Sequence, residues 1–287
     1  MDANVSDWDL KRIVFESLRE DIGRGDVTTQ TIVPADAFGR ARIEAREQAV
    51  IAGSKLAQAC FDATAEYAGG SIEWRAKTVD GERVGAADVI AVVEGPMAAI
   101  LTAERAALNL LGCLSGVATM TAAFVAAIAG TSSKITDTRK TTPGMRVLEK
   151  YAVLVGGGTN HRSGLDTGIL IKDNHIAAAG GITQAVTMAR ANAPHSLRIE
   201  VEVEDLAGLD EAISSGADVV LLDNMQVSDV RKAVECATGK VILEASGGIS
   251  LDNVREYAET GVDLISVGAL THSARCIDVA LEVENRW

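Results

Sequence analysis

The second half of the chain repeats one short pattern that leaves few folds open. Aliphatic runs end at a polar residue or a glycine, and helical sequence follows each one. Run 134–136 gives way to Asp137, Thr138 and Arg139, 168–171 to Lys172, and 197–201 to Glu202. Run 219–222 gives way to Asp223, 241–243 to Glu244, Ala245 and Ser246, and 264–267 to Gly268. The last four runs start at 197, 219, 241 and 264, a spacing near one β/α unit. Strand alternating with helix implies a parallel sheet. Strands covered on both faces suit a chain rich in aliphatics and only 3% aromatic. A β/α barrel places its chemistry at the C-terminal ends of its strands, and every run here ends in a residue able to take part. Six units over about 140 residues fall short of a full barrel, which takes roughly 250. The expected fold is a small, incomplete β/α barrel.

The first half reads differently. Residues 7–20 predict a helix capped by Ser6, with Trp8, Ile13, Val14 and Leu18 as its apolar stripe. Residues 20–34, with two glycines and Pro34, predict a loop carrying Arg24, Asp26, Thr28 and Thr29. Residues 38–52 alternate as a half-buried strand, and Gly53 leads into a helix capped by Ser54. Two more strands, 72–76 and 88–94, complete a small α+β unit. Residues 97–129 read as helix bent at Gly112 and Gly116, so two helices are expected with a domain boundary between them. The organisation is then an N-terminal α+β domain over 1–114, a β/α barrel over 115–274, and a short helical tail over 275–287 packing back on the first domain.

Charge narrows the function. The chain carries 27 Lys+Arg against 40 Asp+Glu, a net of −13. Residues 139–172 run the other way, with Arg139, Lys140, Arg146, Lys150, Arg162 and Lys172 against Glu149 and Asp166. His161 lies inside this stretch and His175 just beyond it. A local excess of cations in an acidic chain suggests a site for a small, strongly anionic ligand. A nucleic-acid surface would need a basic face and stacking aromatics, and neither is present. The four cysteines are far apart, without metal-ligand spacing, and read as core residues. The N-terminal MDANVSDWDL has no apolar run, so no signal peptide is expected. No apolar run approaches ~20 residues, so a cytoplasmic protein that crosses no membrane is expected.

Three kinds of group meet at the strand ends. Arg139, Lys140, Arg162 and Lys172, with His161, can hold carboxylates or phosphates. Glu202 and Asp223 suit Mg²⁺, sugar hydroxyls or a developing positive charge; salt bridges to the same cations are the plain alternative. The glycine runs ASGGIS and SVGALT each follow a strand and precede a helix, the setting of a phosphate cradle or of an ordinary turn. The order fits a ligand with a phosphate, a ribose and an acidic partner. Arg105, on a helix rich in Ala and Leu, reads by itself as a solubilising charge. Lys150 reads as structural.

These residues sit in long strings: EDIGRGDVTT, ERAALNLLGCLSGVAT, TDTRKTTPG, GGGTNHR, LIKDNHI, EVEVED, GADVVLLDNM and LEASGGISLDNVREYAETGVDLISVGALTHS. With them the chain resembles the quinolinate phosphoribosyltransferase family over nearly its whole length. The resemblance implies an N-terminal open-faced α+β sandwich domain followed by the incomplete barrel. It implies a homodimer in which the first domain of one subunit covers the barrel mouth of the other. It also implies a reaction in NAD biosynthesis: quinolinate and phosphoribosyl pyrophosphate give nicotinate mononucleotide, carbon dioxide and pyrophosphate, with Mg²⁺. Carried over by motif, Arg139, Lys140, His161 and Arg162 match the pocket for the quinolinate carboxylates, with Thr138 on the same loop. Lys172 faces both substrates, and Arg105 matches an arginine brought from the neighbouring subunit. Glu202 and Asp223 match acids near the ribose and Mg²⁺. Ser246, Gly247, Gly248 and the turn of Val267, Gly268 and Ala269 match the 5′-phosphate cradle. Among these, Lys140, Lys172, Glu202 and Asp223 are the catalytic candidates. The segment SGLDTGI departs from the family near Thr167, where an aspartate is common.

Three rivals remain at this level. A paralogous phosphoribosyltransferase of the same fold would act on another acceptor, a Schiff-base aldolase would use Lys172, and a metabolite-binding protein would not turn over.

Overall fold

The computed structural model describes residues 5–237 and 239–286. In chain order its elements begin with α1 (Asp7–Ile22), α2 (Val27–Ile32), β1 (Phe38–Ala45), β2 (Ala49–Val50), α3 (Ser54–Tyr67), β3 (Glu73–Ala76), β4 (Arg83–Val84) and β5 (Val89–Pro96). The long α4 (Met97–Ala127) leads to β6 (Lys134–Thr136), α5 (Arg146–Val155), β7 (Ile169–Ile171), α6 (Asp173–Ala179) and α7 (Ile182–Asn192). Then come β8 (Ile199–Val203), α8 (Leu206–Ser214), β9 (Val219–Asp223), α9 (Val227–Ala237) and β10 (Ile242–Ser246). The chain ends with α10 (Val254–Ala258), β11 (Leu264–Ser266), α11 (Ala269–His272) and β12 (Val279–Arg286). Two compact units result. One holds Met1–Ala122, Thr142–Gly157 and Ser273–Trp287, and the other Ala123–Thr141 and Gly158–His272.

The first unit is built on an antiparallel sheet of order β12-β1-β5-β3. Alternation along β1 decides its faces. Ala41, Ile43 and Ala45 are fully buried, together with Leu56, Cys60 and Phe61 of α3 and Ile100, Leu111 and Leu114 of α4. The other face carries charge: Arg40 pairs with Glu284 at 2.8 Å, Arg46 with Glu44 at 3.2 Å and Arg75 with Glu94 at 3.0 Å. A sheet apolar on one side and charged on the other is open-faced.

Several expectations are corrected here. The stretch 20–34 is not all loop. Asp26 caps α2 by accepting from the Thr29 N–H at 3.0 Å and takes the Thr102 hydroxyl at 3.1 Å. The α3 cap is Gly53, at φ +98°, and not Ser54; Asp80 accepts from the N–H groups of both, at 2.8 and 3.0 Å. The expected break at Gly112 and Gly116 is absent, because α4 is one helix of 31 residues. The glycines are there for close approach: a Cβ on Gly112 would stand 2.6 Å from the Ile277 carbonyl oxygen, and one on Gly116 2.0 Å from that of Arg275. The tail is a strand, not a helix. Leu281-Glu282-Val283-Glu284 alternates with period two, and β12 pairs antiparallel with β1; Trp287 lies outside the described residues. Finally, α4 is long and apolar enough to cross a membrane by length and composition, but 61% of its most apolar window is buried. It is a core helix.

The second unit holds six parallel strands in the order β6-β11-β10-β9-β8-β7, the count the sequence implies. Among the described residues β6 and β7 do not pair as strands, so the sheet stays open between them. Strands β8 to β11 are joined by α8, α9 and α10, the connection a parallel sheet requires. Strand β8 lies two residues further along than its aliphatic run suggests, and β10 ends three residues beyond its own, so Glu202 and Glu244 fall inside β8 and β10 rather than after them.

Candidate active site

Every site residue inferred from the sequence except Arg105 belongs to the second unit. Arg105 lies on α4 with its side chain 61% exposed, 3.8 Å from Glu104.

The cationic side starts at β6. Asp137 follows it, fully buried, and its carboxylate accepts the His161 N–H at 2.9 Å. Thr138 turns the chain by accepting from the Lys140 N–H at 3.0 Å. Strand pairing sets Thr136 of β6 against Ser266 of β11. The Lys140 carbonyl takes the Thr271 hydroxyl at 2.8 Å, and a Cβ on Gly268 would stand 3.2 Å from Lys140 Cδ. Lys140 is thereby brought to the last glycine turn. The Val267 N–H is spent on the Thr136 carbonyl at 3.0 Å. That turn's contribution to an anion rests with Gly268 and Ala269.

The loop of His161 and Arg162 closes on the same place. Arg162 Nη1 donates to the Gly168 carbonyl at 3.0 Å. Burial, and then the neighbouring Arg139 guanidinium, lower the proton affinity of Arg162, while Glu200 raises it. Thr167 tightens the loop, its hydroxyl oxygen accepting from the N–H groups of Ser163 and Gly164 at 3.0 and 3.1 Å. That is a structural use for Thr167. A cavity of about 380 Å³ opens beside Arg162, walled by Ile169, Leu170, Ile171 and Met188.

His161 points inward. Its Nε2 is 3.0 Å from Glu200 and 3.7 Å from Glu244, and its Nδ1 accepts the Arg162 N–H at 2.8 Å. Glu200 and Glu244 are 7% and 1% exposed. They sit on β8 and β10 with β9 between them, roughly 9.6 Å apart on a flat sheet. Yet their oxygens and the His161 nitrogen lie within 4.8 Å of one another. Both side chains therefore reach toward each other and toward the imidazole from one face of the sheet. Burial first, and the Glu200 charge second, push the Glu244 carboxyl up to about 7. The cluster has the atoms of a metal site but the wrong tautomer. With Nδ1 used as an acceptor, the neutral ring carries its proton on Nε2, which is then a donor and not a ligand.

The anionic side lies at the strand ends. Lys172, at the N-cap of α6, hydrogen-bonds Glu202 through Nζ. Asp223 ends β9, paired in register with Ser246 of β10, and accepts from Asn224 Nδ2 at 2.8 Å. Gly247 has φ +90°, and a Cβ there would fall 2.2 Å from the Asn224 side chain, so glycine is required on both counts. Gly248 follows at φ +63°. Glu202 and Asp223 each offer carboxylate oxygens, the ligand type that Mg²⁺ favours. Because Glu202 is shared with Lys172, contact through ordered water fits it better than direct ligation.

Sequence reading assigned no role to Asp137, Glu200 or Glu244. The available signal was the strict alternation Ile199-Glu200-Val201-Glu202-Val203. It sends both glutamates to one face, opposite Ile199, Val201 and Val203, which are 1%, 0% and 4% exposed.

Comparison with known proteins agrees along the whole chain. Two domain families match, "Quinolinate phosphoribosyl transferase, N-terminal domain" over residues 26–115 and the corresponding C-terminal domain over 117–282. The nicotinate-nucleotide pyrophosphorylase [carboxylating] of Mycobacterium leprae is 45% identical over 277 residues, covering 96% of this chain and 95% of that one. A probable enzyme of the same name from Bacillus subtilis is 43% identical over 274 residues, covering 96% and 93%. The solved nicotinate-nucleotide pyrophosphorylase of Francisella tularensis superposes with a TM-score of 0.93 at 42% identity, over 98% of each chain.

Proposed function

The chain belongs to the quinolinate phosphoribosyl transferase family, and from that premise we propose how its strand-end site works. The activity is that of a decarboxylating quinolinate phosphoribosyltransferase in NAD biosynthesis. Phosphoribosyl pyrophosphate and quinolinate react to nicotinate mononucleotide, carbon dioxide and pyrophosphate.

The observation that carries the site assignment is the closeness of Arg139 and Arg162 in a partly dry pocket. Burial first, and the Arg139 guanidinium second, disfavour the protonated form of Arg162. A dianion bound between the two arginines relieves both terms. Quinolinate is such a dianion, and Arg139 and Arg162 hold its carboxylates by planar forks. Lys140 and Lys172 add mobile positive charge where the two anionic substrates meet. Glu202 and Asp223 face the ribose and stabilise the oxocarbenium character that develops as pyrophosphate leaves. Ser246, Gly247, Gly248, Gly268 and Ala269 take the 5′-phosphate. Once the glycosidic bond has formed, the ring nitrogen is cationic. The bond from C2 to its carboxylate then breaks, the electron pair stays on C2, and C2 takes up a proton.

Glu202 and Asp223 would hold Mg²⁺ through its waters. The ion would neutralise pyrophosphate as it departs. Arg105, exposed on α4, serves the site of a second copy in a homodimer, and the enzyme works in the cytoplasm. The test is an assay with quinolinate and phosphoribosyl pyrophosphate that follows both pyrophosphate and carbon dioxide. Turnover is expected with Mg²⁺. No turnover with either Mg²⁺ or Mn²⁺ overturns the assignment.

A further inference from the structure

Beneath the strand ends lies a layer that the reaction above does not use. We propose that Glu200 and Glu244 are positioning residues for the acceptor pocket, acting through His161, whose imidazole they fix so that its Nδ1 pins the backbone of Arg162. The proposal rests on the reading of the strand-end site given above.

Hydrogen-bond direction carries the argument. The Arg162 N–H donates to His161 Nδ1 at 2.8 Å, so that nitrogen bears a lone pair. The ring proton is therefore on Nε2, 3.0 Å from a Glu200 oxygen. The bond has no exposed alternative, since the His161 and Glu200 side chains are 13% and 10% exposed. Removing the Glu200 carboxylate takes away the nearest acceptor of that buried N–H and leaves the Glu244 oxygen at 3.7 Å, beyond hydrogen-bond reach. The ring escapes that loss by moving its proton to Nδ1. Nδ1–H then faces the Arg162 N–H, donor against donor, and the loop must shift. Asp137 still holds the His161 N–H at 2.9 Å, so the shift falls on Arg162 and on its guanidinium beside Arg139.

Glu244 completes the seat from β10. The Oε1 atom of Glu200 is buried without a hydrogen-bond partner among the described residues, and Glu244 faces the Ser266 hydroxyl. Two ionised carboxylates so poorly solvated repel strongly. Glu244 accordingly keeps its proton more readily than an ordinary carboxyl, and Glu200 is the acceptor that counts. The two therefore separate by substitution. Glu244→Gln replaces a neutral group with a neutral isostere. Glu200→Gln keeps an oxygen for Nε2–H, whereas Glu200→Leu keeps only the volume.

The experiment pairs kinetics with nitrogen NMR on histidine-labelled protein. The four histidines are distinguished by comparison with His161→Gln. In the wild type His161 should show a bare Nδ1 and a protonated Nε2. Glu200→Leu should lose that tautomer and raise KM for quinolinate on the order of tenfold or more, while KM for phosphoribosyl pyrophosphate stays within about twofold. Glu200→Gln and Glu244→Gln should keep both the tautomer and the KM values. A bare Nε2 in the wild type overturns the proposal. So does a Glu200→Leu variant that keeps the tautomer, or one that raises both KM values in parallel. If Glu200→Leu does not fold, loss of the tautomer in Glu200→Gln overturns it instead. Absence of wild-type turnover on quinolinate would refute the substrate assignment, while the tautomer measurement would still judge the role of the glutamates.

Discussion

Glu244 makes the stability of the protein depend on pH in an unusual direction, and Glu244→Gln isolates the effect. Burial, and then Glu200, lift this carboxyl from its ordinary 4.5 to about 7. Between those values the folded chain binds more protons at this site than the unfolded chain. Stability therefore falls as pH rises through the window, the reverse of a salt-bridged carboxylate. At about 1.4 kcal/mol per unit, the difference reaches roughly 3 kcal/mol by about pH 8. No discount for solvent screening applies to a side chain 2% exposed. Glutamine has nearly the same shape and cannot ionise. Urea or thermal unfolding of both proteins, from about pH 5 to about pH 8, checks this. The two should unfold alike at the acid end, and the variant should gain steadily over the wild type toward the alkaline end. Parallel profiles would show that Glu244 ionises normally, and the packing argument behind the buried cluster would be wrong.

Other perturbations probe other links. Arg139→Ala should raise KM for quinolinate by roughly tenfold or more while sparing phosphoribosyl pyrophosphate; equal loss of both in steady-state kinetics would put the residue elsewhere. Gly116→Ala drives a Cβ to 2.0 Å from the Arg275 carbonyl oxygen, a backbone atom that cannot rotate away. It should cost roughly 1–3 kcal/mol of stability, read as a lower melting temperature, and an unchanged melt would contradict the close packing of α4 and the 275–277 segment. Mixing inactive Arg105→Ala and Lys172→Ala chains should restore part of the activity if Arg105 serves a second copy's site. An inactive mixture in which both chains are shown to exchange would refute the shared site.

The parallel sheet was legible because its strands announce themselves in short aliphatic runs. The polar residues at their ends were legible because the aliphatic runs stop at them. Helix breaks were misread at Gly112 and Gly116 for a definite reason. Glycine lowers helix propensity locally, but here it admits the 275–277 backbone, a contact more than 150 residues away in the chain. The β12 strand was misread because a strand that pairs through β1 is decided by a distant partner and not by its own propensity. The α2 cap was available in the Asp26-to-Thr29 spacing and was hidden by the flanking glycines. Glu200 and Glu244 escaped because acidic residues within a strand ordinarily face water. Their convergence on one imidazole, a contact between separate strands and a loop, is what turns them inward, and no local pattern reports it.

That inward layer explains how so acidic a chain can keep an anion pocket. Cations alone make a poor one, because Arg139 and Arg162 repel each other across partly dry space. Counter-charge placed level with them competes with the ligand, as Glu202 does for Lys172; that carboxylate must let go of the ammonium or share it when substrate arrives. Counter-charge placed one layer down does not compete. Glu200 raises the proton affinity of Arg162, and Asp137 holds the His161 N–H, yet both are buried. The imidazole between the layers carries position from one to the other. On the proposal above, His161 is the joint between the two layers, a role that stands beside the carboxylate contact implied by the resemblance.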